Sequence, residues 1–164
     1  MQPLELAGRL ALAVGLAVFM GLAFEETYKT GERSSPGGIR TFPMLAMGGA
    51  TLYLIDPAHA LAFIAGLLGL AAWLTAYLRA APRTPEPPSF MVPASNLLAF
   101  TLGPIALLQP PWVAVTLAVT AVLLLGAREK LHRLIHVVPR EELITAGMFL
   151  ILVGIVLPLV PHKQ

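Results

Sequence analysis

Residues 4–24 read LELAGRLALAVGLAVFMGLAF, twenty-one residues of which only Glu5 and Arg9 are charged. A helix rises about 1.5 Å per residue, so about 20 apolar residues cross the ~30 Å hydrocarbon core of a bilayer. The stretch meets that length. It lacks a basic start and runs into Glu25–Glu26 rather than a small-residue cleavage site, so it reads as a permanent span and not as a cleaved leader. Outward from it, the same apolar texture recurs. The chain has 164 residues, 57% hydrophobic and 12% charged, against about 25% charged in a soluble domain.

Five further apolar blocks follow: residues 42–55, 58–78, 90–108, 112–127 and 143–160. The second is short and stopped by Asp56–Pro57. The third carries Trp73 and Tyr77 near one end, as interfacial anchors. Pro82, Pro85, Pro87 and Pro88 make the next connection a loop. The fourth block is interrupted by Pro93 and by Gly103–Pro104, and Gln109–Pro110–Pro111 is a tight turn before the fifth. Residues 128–138 set Leu131, Leu134, Ile135 and Val138 on one face of a surface helix, with Arg128, His132 and Arg133 elsewhere. Pro139-Arg140-Glu141-Glu142 then opens the sixth span. The expectation is an all-α polytopic membrane bundle of six spans in a single domain, residues 1–164.

Charge placement fixes the expected orientation. Lys29, Arg33, Arg40, Arg79, Arg83, Arg128, Lys130, Arg133 and Arg140 fall in the connections after spans one, three and five, which is nine of the eleven basic residues. Only Arg9 and Lys163 lie on the other face. Positive charge marks the cytoplasmic side, so both termini are expected outside, in a bacterial inner membrane. A three-plus-three inverted repeat fits an odd number of spans per half, although the two halves share little sequence.

Cysteine is absent, which excludes disulfides, thiolate metal sites and a cysteine nucleophile. No nucleotide loop, Ser-His-Asp set or nucleic-acid motif is present, so neither an enzyme nor a nucleic-acid partner is expected, and no cofactor. His132 and His136 have metal-ligand spacing but no third ligand nearby, and read as headgroup-facing residues. Gly48, Gly49, Gly66, Gly69, Gly147 and Gly154 are read as close helix contacts.

The polar residues of interest gather at one depth. Span two opens with Gly37-Gly38-Ile39-Arg40-Thr41-Phe42-Pro43. The two glycines allow a tight backbone, Thr41 is expected to cap the helix, and Pro43 suits its first turn. Backbone N–H groups and Arg40 together make an anion site suited to phosphate or a lipid headgroup. In the competing reading, Arg40 pairs with Glu25 or Glu26 and only fixes the loop. The two glutamates are weighed as water-mediated Mg²⁺ ligands, and pairing with Arg40 is preferred because no third acid lies on that side. Ser95 and Asn96, one turn into span four, either bond a neighbouring helix or line a polar path.

Gly21-Leu22-Ala23-Phe24-Glu25-Glu26, followed by Gly37-Gly38-Ile39-Arg40-Thr41-Phe42-Pro43-Met44-Leu45-Ala46-Met47-Gly48-Gly49-Ala50, resembles the N-terminal signature of the MgtC/SapB family. That signature is a Gly-Leu-Glu-Arg-type end to the first helix and a Gly-Leu-Arg-Thr start to the second. The run from Ala127 through Arg133, then Pro139 to Leu143, is similar to longer members that append a domain of unknown function. The resemblance implies a multi-pass, magnesium-related membrane protein, a transporter or a regulator. It also implies a homo-oligomer or a partner membrane half, because the longer members continue for about as many residues again. The family's Glu-Arg pair stands here as Ala23-Phe24, with the glutamates just after. A Mg²⁺ pathway would require carboxylates inside the spans, and these interiors have none.

Overall fold

The computed structural model describes residues 2–28, 36–80 and 90–127, together with Thr145, Met148, Phe149 and Leu152. The described residues are all-α, without a strand. Five helices run in chain order: α1 Pro3–Tyr28, α2 Thr41–Ile55, α3 Leu61–Ala80, α4 Met91–Leu108 and α5 Pro111–Gly126. α1, α3 and α4 are long and apolar enough to cross a membrane, whereas α2 and α5 are shorter apolar helices. These helices lie in one compact unit, residues 1–126, and residues 127–164 form a second. The expected surface helix 128–138 and nearly all of the sixth span lie outside the described residues. Within the second unit Thr145, Met148 and Phe149 are helical, and Met148, Phe149 and Leu152 are exposed.

Alanine is prominent inside the bundle, and many large apolar side chains face outward. Of eighteen buried apolar residues in α1–α5, nine are alanine. Ala13 and Ala17 of α1 share a cluster with Ala46 of α2, Ala99 and Ala106 of α4, and Ala114, Ala118 and Ala121 of α5. Leu68, Trp73, Trp112 and Leu123 are each more than half exposed. In water this arrangement would waste the hydrophobic effect. In lipid nothing is lost by facing Leu outward, and small residues let backbones approach. α3 takes this furthest, since Leu74 is its single buried residue.

The closest approach joins α2 to α4. A Cβ at Gly49 would fall on the Phe100 carbonyl oxygen, and a Cβ at Gly103 on the Ala46 carbonyl oxygen. Each glycine therefore turns a Cα hydrogen toward a carbonyl of the other helix, a weak reciprocal Cα–H···O contact. Pro104 explains why Phe100 O is open to this. Proline has no N–H, so the carbonyl four residues earlier loses its helical donor. Gly103–Pro104 was expected to break the span; instead α4 is continuous through Pro104, and the pair forms the docking surface for α2. Pro93 sits in the first turn, where its missing N–H costs nothing.

Other boundaries shift for local reasons. α3 begins at Leu61, not Ala58, because the Asp56 carboxylate accepts hydrogen bonds from the His59 and Leu61 N–H groups and holds the turn open, with Ala60 at φ 56°. α2 is not capped by Thr41: Arg40 occupies the cap position with helical dihedrals and makes no side-chain cap bond, while the Phe42 N–H already donates to Gly38 O. Gly49 and Gly66 make close contacts as expected, the latter against Leu52 and the Phe100 ring. Gly48 only grazes that ring at 4.0 Å, and Gly69 faces open space.

Arg9 has a structural role. α4 ends against Pro110–Pro111, which supply no N–H groups to its last carbonyls. The Arg9 guanidinium donates to Leu107 O at 2.6 Å and Gln109 O at 3.2 Å, and pairs with Glu5 at 3.1 Å. It thus ties the N-terminal part of α1 to the C-terminal end of α4.

Replacing Gly103 by Leu drives a branched side chain into the α2 backbone and should cost at least about 3 kcal/mol, at the upper end for overpacking. Gly69→Leu, into open space, should change the melting temperature little. Thermal unfolding of the purified protein in detergent checks both.

Candidate functional site

The residues singled out in the sequence converge on one end of the bundle, around the turn at positions 36–40. Three glycines seat this turn on α1. A Cβ at Gly21 would lie 2.6 Å from the Ile39 Cα, so α1 is notched there to receive the turn. Gly37 and Gly38 adopt φ of 152° and 136°, a region that favours glycine. A Cβ on Gly37 would press the rings of Phe24 and Phe42 at 3.1 Å, and one on Gly38 would meet Glu25 Oε1 at 2.8 Å. Phe24 and Phe42, both buried, meet edge to face with centroids 5.1 Å apart and close the apolar floor below the turn.

Two polar side chains hold the turn from either side. Glu25, half-buried, accepts the Ile39 N–H at 3.0 Å. Asn96, fully buried on α4, donates through Nδ2 to Pro36 O at 2.6 Å and to Val92 O at 2.8 Å. Its Oδ1 is buried and has no hydrogen-bond partner. Ser95 is buried beside it. Thr41 is the first residue of α2 and half-buried.

The predicted residues divide accordingly. Glu25, Gly37, Gly38 and Asn96 are brought into one contact network. Glu26 is exposed at the end of α1 and joins none of it. Arg40 is exposed, and among the described residues it makes no ion pair with either glutamate. The Arg40–glutamate pair weighed for this loop is therefore not formed: the Glu25 carboxylate accepts a backbone N–H, and among the described residues the guanidinium at the start of α2 has no ion-pair partner. Among the described residues no cluster of three His, Cys, Asp or Glu side chains exists to hold a metal ion.

Sequence reasoning missed Gly21, whose notch is as demanding as the Gly37–Gly38 turn, and missed that Pro36 and Ile39 offer backbone partners. A small residue one turn before Glu25 was the available signal. An outward groove of about 350 Å³ between α4 and α5, lined by Leu98, Trp112, Thr116, Leu117, Thr120 and Leu124, is almost wholly apolar and separate from the turn. No protein-family model, curated protein or solved structure matches the chain.

Glu25→Gln keeps an acceptor for the Ile39 N–H and should cost under about 1 kcal/mol, whereas Glu25→Ala leaves that donor unpaired at about 1–3 kcal/mol. Gly38→Ala should exceed both, since it combines strain with a clash. Unfolding midpoints of the three variants in one detergent provide the comparison.

Proposed function

We propose that this protein is a multi-pass inner-membrane transporter of the MgtC/SapB type, with six spans and both termini outside, that binds an anion or phospho-headgroup at the cytoplasmic turn around Arg40. The observation that carries this reading is the exposed guanidinium at the start of α2, without an ion-pair partner among the described residues: a cation at a helix N-terminus, on a glycine turn fixed from both sides by Glu25 and Asn96. A helix start concentrates unsatisfied N–H groups and positive dipole, and arginine adds a forked donor for phosphate oxygens. Thr41, Ser95 and Glu26 lie around the same end and complete the proposed lining. The short α2 fits as well, because truncated spans accompany binding sites near membrane depth.

A second reading, a regulatory or scaffold protein that binds another membrane protein without transport, has its own support. Gly8 and Gly15 of α1 and Gly69 of α3 face open space, and α3 leaves nearly its whole apolar surface uncovered. Such faces suit a second copy or another membrane subunit.

Proteoliposome assays with inorganic phosphate and with a headgroup-labelled phospholipid separate the two ligand sources. Arg40→Ala should lower movement of one of them at least about tenfold, which is about 1.4 kcal/mol of lost binding. It should barely shift the melting temperature, because the side chain is exposed and has no ion-pair partner among the described residues. No movement of either probe by the wild type would favour the scaffold reading. The absence of native cysteine allows single-cysteine labelling of topology: residues 29, 83 and 130 should all react from the cytoplasmic side.

A further inference from the structure

We propose that the turn at residues 36–40 binds an alkali-metal cation, with Asn96 Oδ1 among its ligands. The proposal deepens the reading of this turn as a ligand site. It begins with the geometry of the Asn96 amide. Nδ2 faces two carbonyl oxygens, Pro36 O and Val92 O. Rotating the amide by half a turn would set Oδ1 against both of them, oxygen to oxygen, so the orientation is fixed by its surroundings. Oδ1 therefore points away from these two carbonyls, buried and without a donor among the described residues.

A buried acceptor without a donor calls for a proton donor or a cation, and it repels an anion. Charge favours the cation. Glu25 fastens the same turn through Ile39, and among the described residues no lysine or arginine pairs with it. The amide oxygen is a ligand of the kind hard cations take, and the carboxylate on the other side of the turn adds negative charge to the same segment. Irregular backbone at a helix terminus within a membrane bundle is also where coupling ions bind in transporters. The single carboxylate, with no cluster of three acidic or imidazole side chains among the described residues, fits a monovalent ion better than a divalent one. Arg40, exposed on the outer side of the turn, leaves the anion position separate from this one.

The test is thermal unfolding of the full chain in lipid nanodiscs, in NaCl, KCl and choline chloride at equal ionic strength. At least one alkali salt should raise the melting temperature over choline by roughly 3–6 °C at tenfold excess over its Kd. Asn96→Leu should abolish the rise, and Glu25→Gln, which keeps an acceptor for the Ile39 N–H but removes the charge, should reduce it. Equal melting temperatures in the three salts would overturn the proposal, as would a rise that survives Asn96→Leu. Where Asn96→Leu does not fold, Glu25→Gln decides: a rise as large as that of the wild type overturns the proposal. Binding of inorganic phosphate is measured alongside. If phosphate fails to bind while the salt-specific rise persists, the Arg40 reading falls and the cation site stands.

Discussion

Two glycines facing two carbonyls hold this bundle together. Gly49 of α2 and Gly103 of α4 each carry a hydrogen where any other residue would place a carbon on the opposite backbone. Pro104 supports the contact from within α4 by withholding the N–H that would otherwise engage Phe100 O. The approach sets the height of α2 against α4, and with it the position of the turn that precedes α2. Asn96, two turns before Gly103 on α4, then lies within reach of Pro36 O. At the opposite end of α4, Arg9 performs the corresponding service for the last carbonyls. α1 is therefore attached to α4 at one end and to the 36–40 turn at the other.

The distribution of side chains follows from the solvent such a bundle suits. Burying alanine and exposing leucine is unfavourable in water, where apolar area drives folding. It is neutral in lipid, where packing and hydrogen bonding must supply the stability. That balance makes the few polar contacts significant. Glu25 on Ile39 N–H and Asn96 on Pro36 O are bonds to irregular backbone, which an apolar medium cannot otherwise satisfy. The same two residues leave Arg40 outside the network, and its freedom connects the fold to the proposed site.

The helical architecture was legible in the sequence because it depends on long apolar runs separated by Gly, Pro and charge. α2, α4 and α5 start or end within a residue of the limits read from those runs. Contacts that depend on which side of a helix faces inward were less legible. Gly48 and Gly49 are adjacent and chemically identical, yet only Gly49 meets the α4 backbone, because one residue is a 100° rotation. Gly103–Pro104 read as an interruption because proline within a helix usually is one; here the freed carbonyl has a partner from another helix. Convergence of Glu25, Gly37, Gly38 and Asn96 at one end followed from counting spans. That Glu25 would choose a backbone N–H over Arg40 did not, since it depends on the dihedral angles of two glycines.

The central claim is that α4 packs one continuous face, which runs through Asn96, Ala99 and Gly103, against the other helices. Spin labels placed singly at positions 91–108, in a chain free of native cysteine, measure this directly through oxygen accessibility in bilayers. The account predicts an oxygen-shielded stripe through Val92, Asn96, Ala99, Gly103 and Ala106, with access recovering at Met91 and Leu108. Uniform accessibility along α4, or a shielded stripe centred on Leu97 and Thr101, would contradict it.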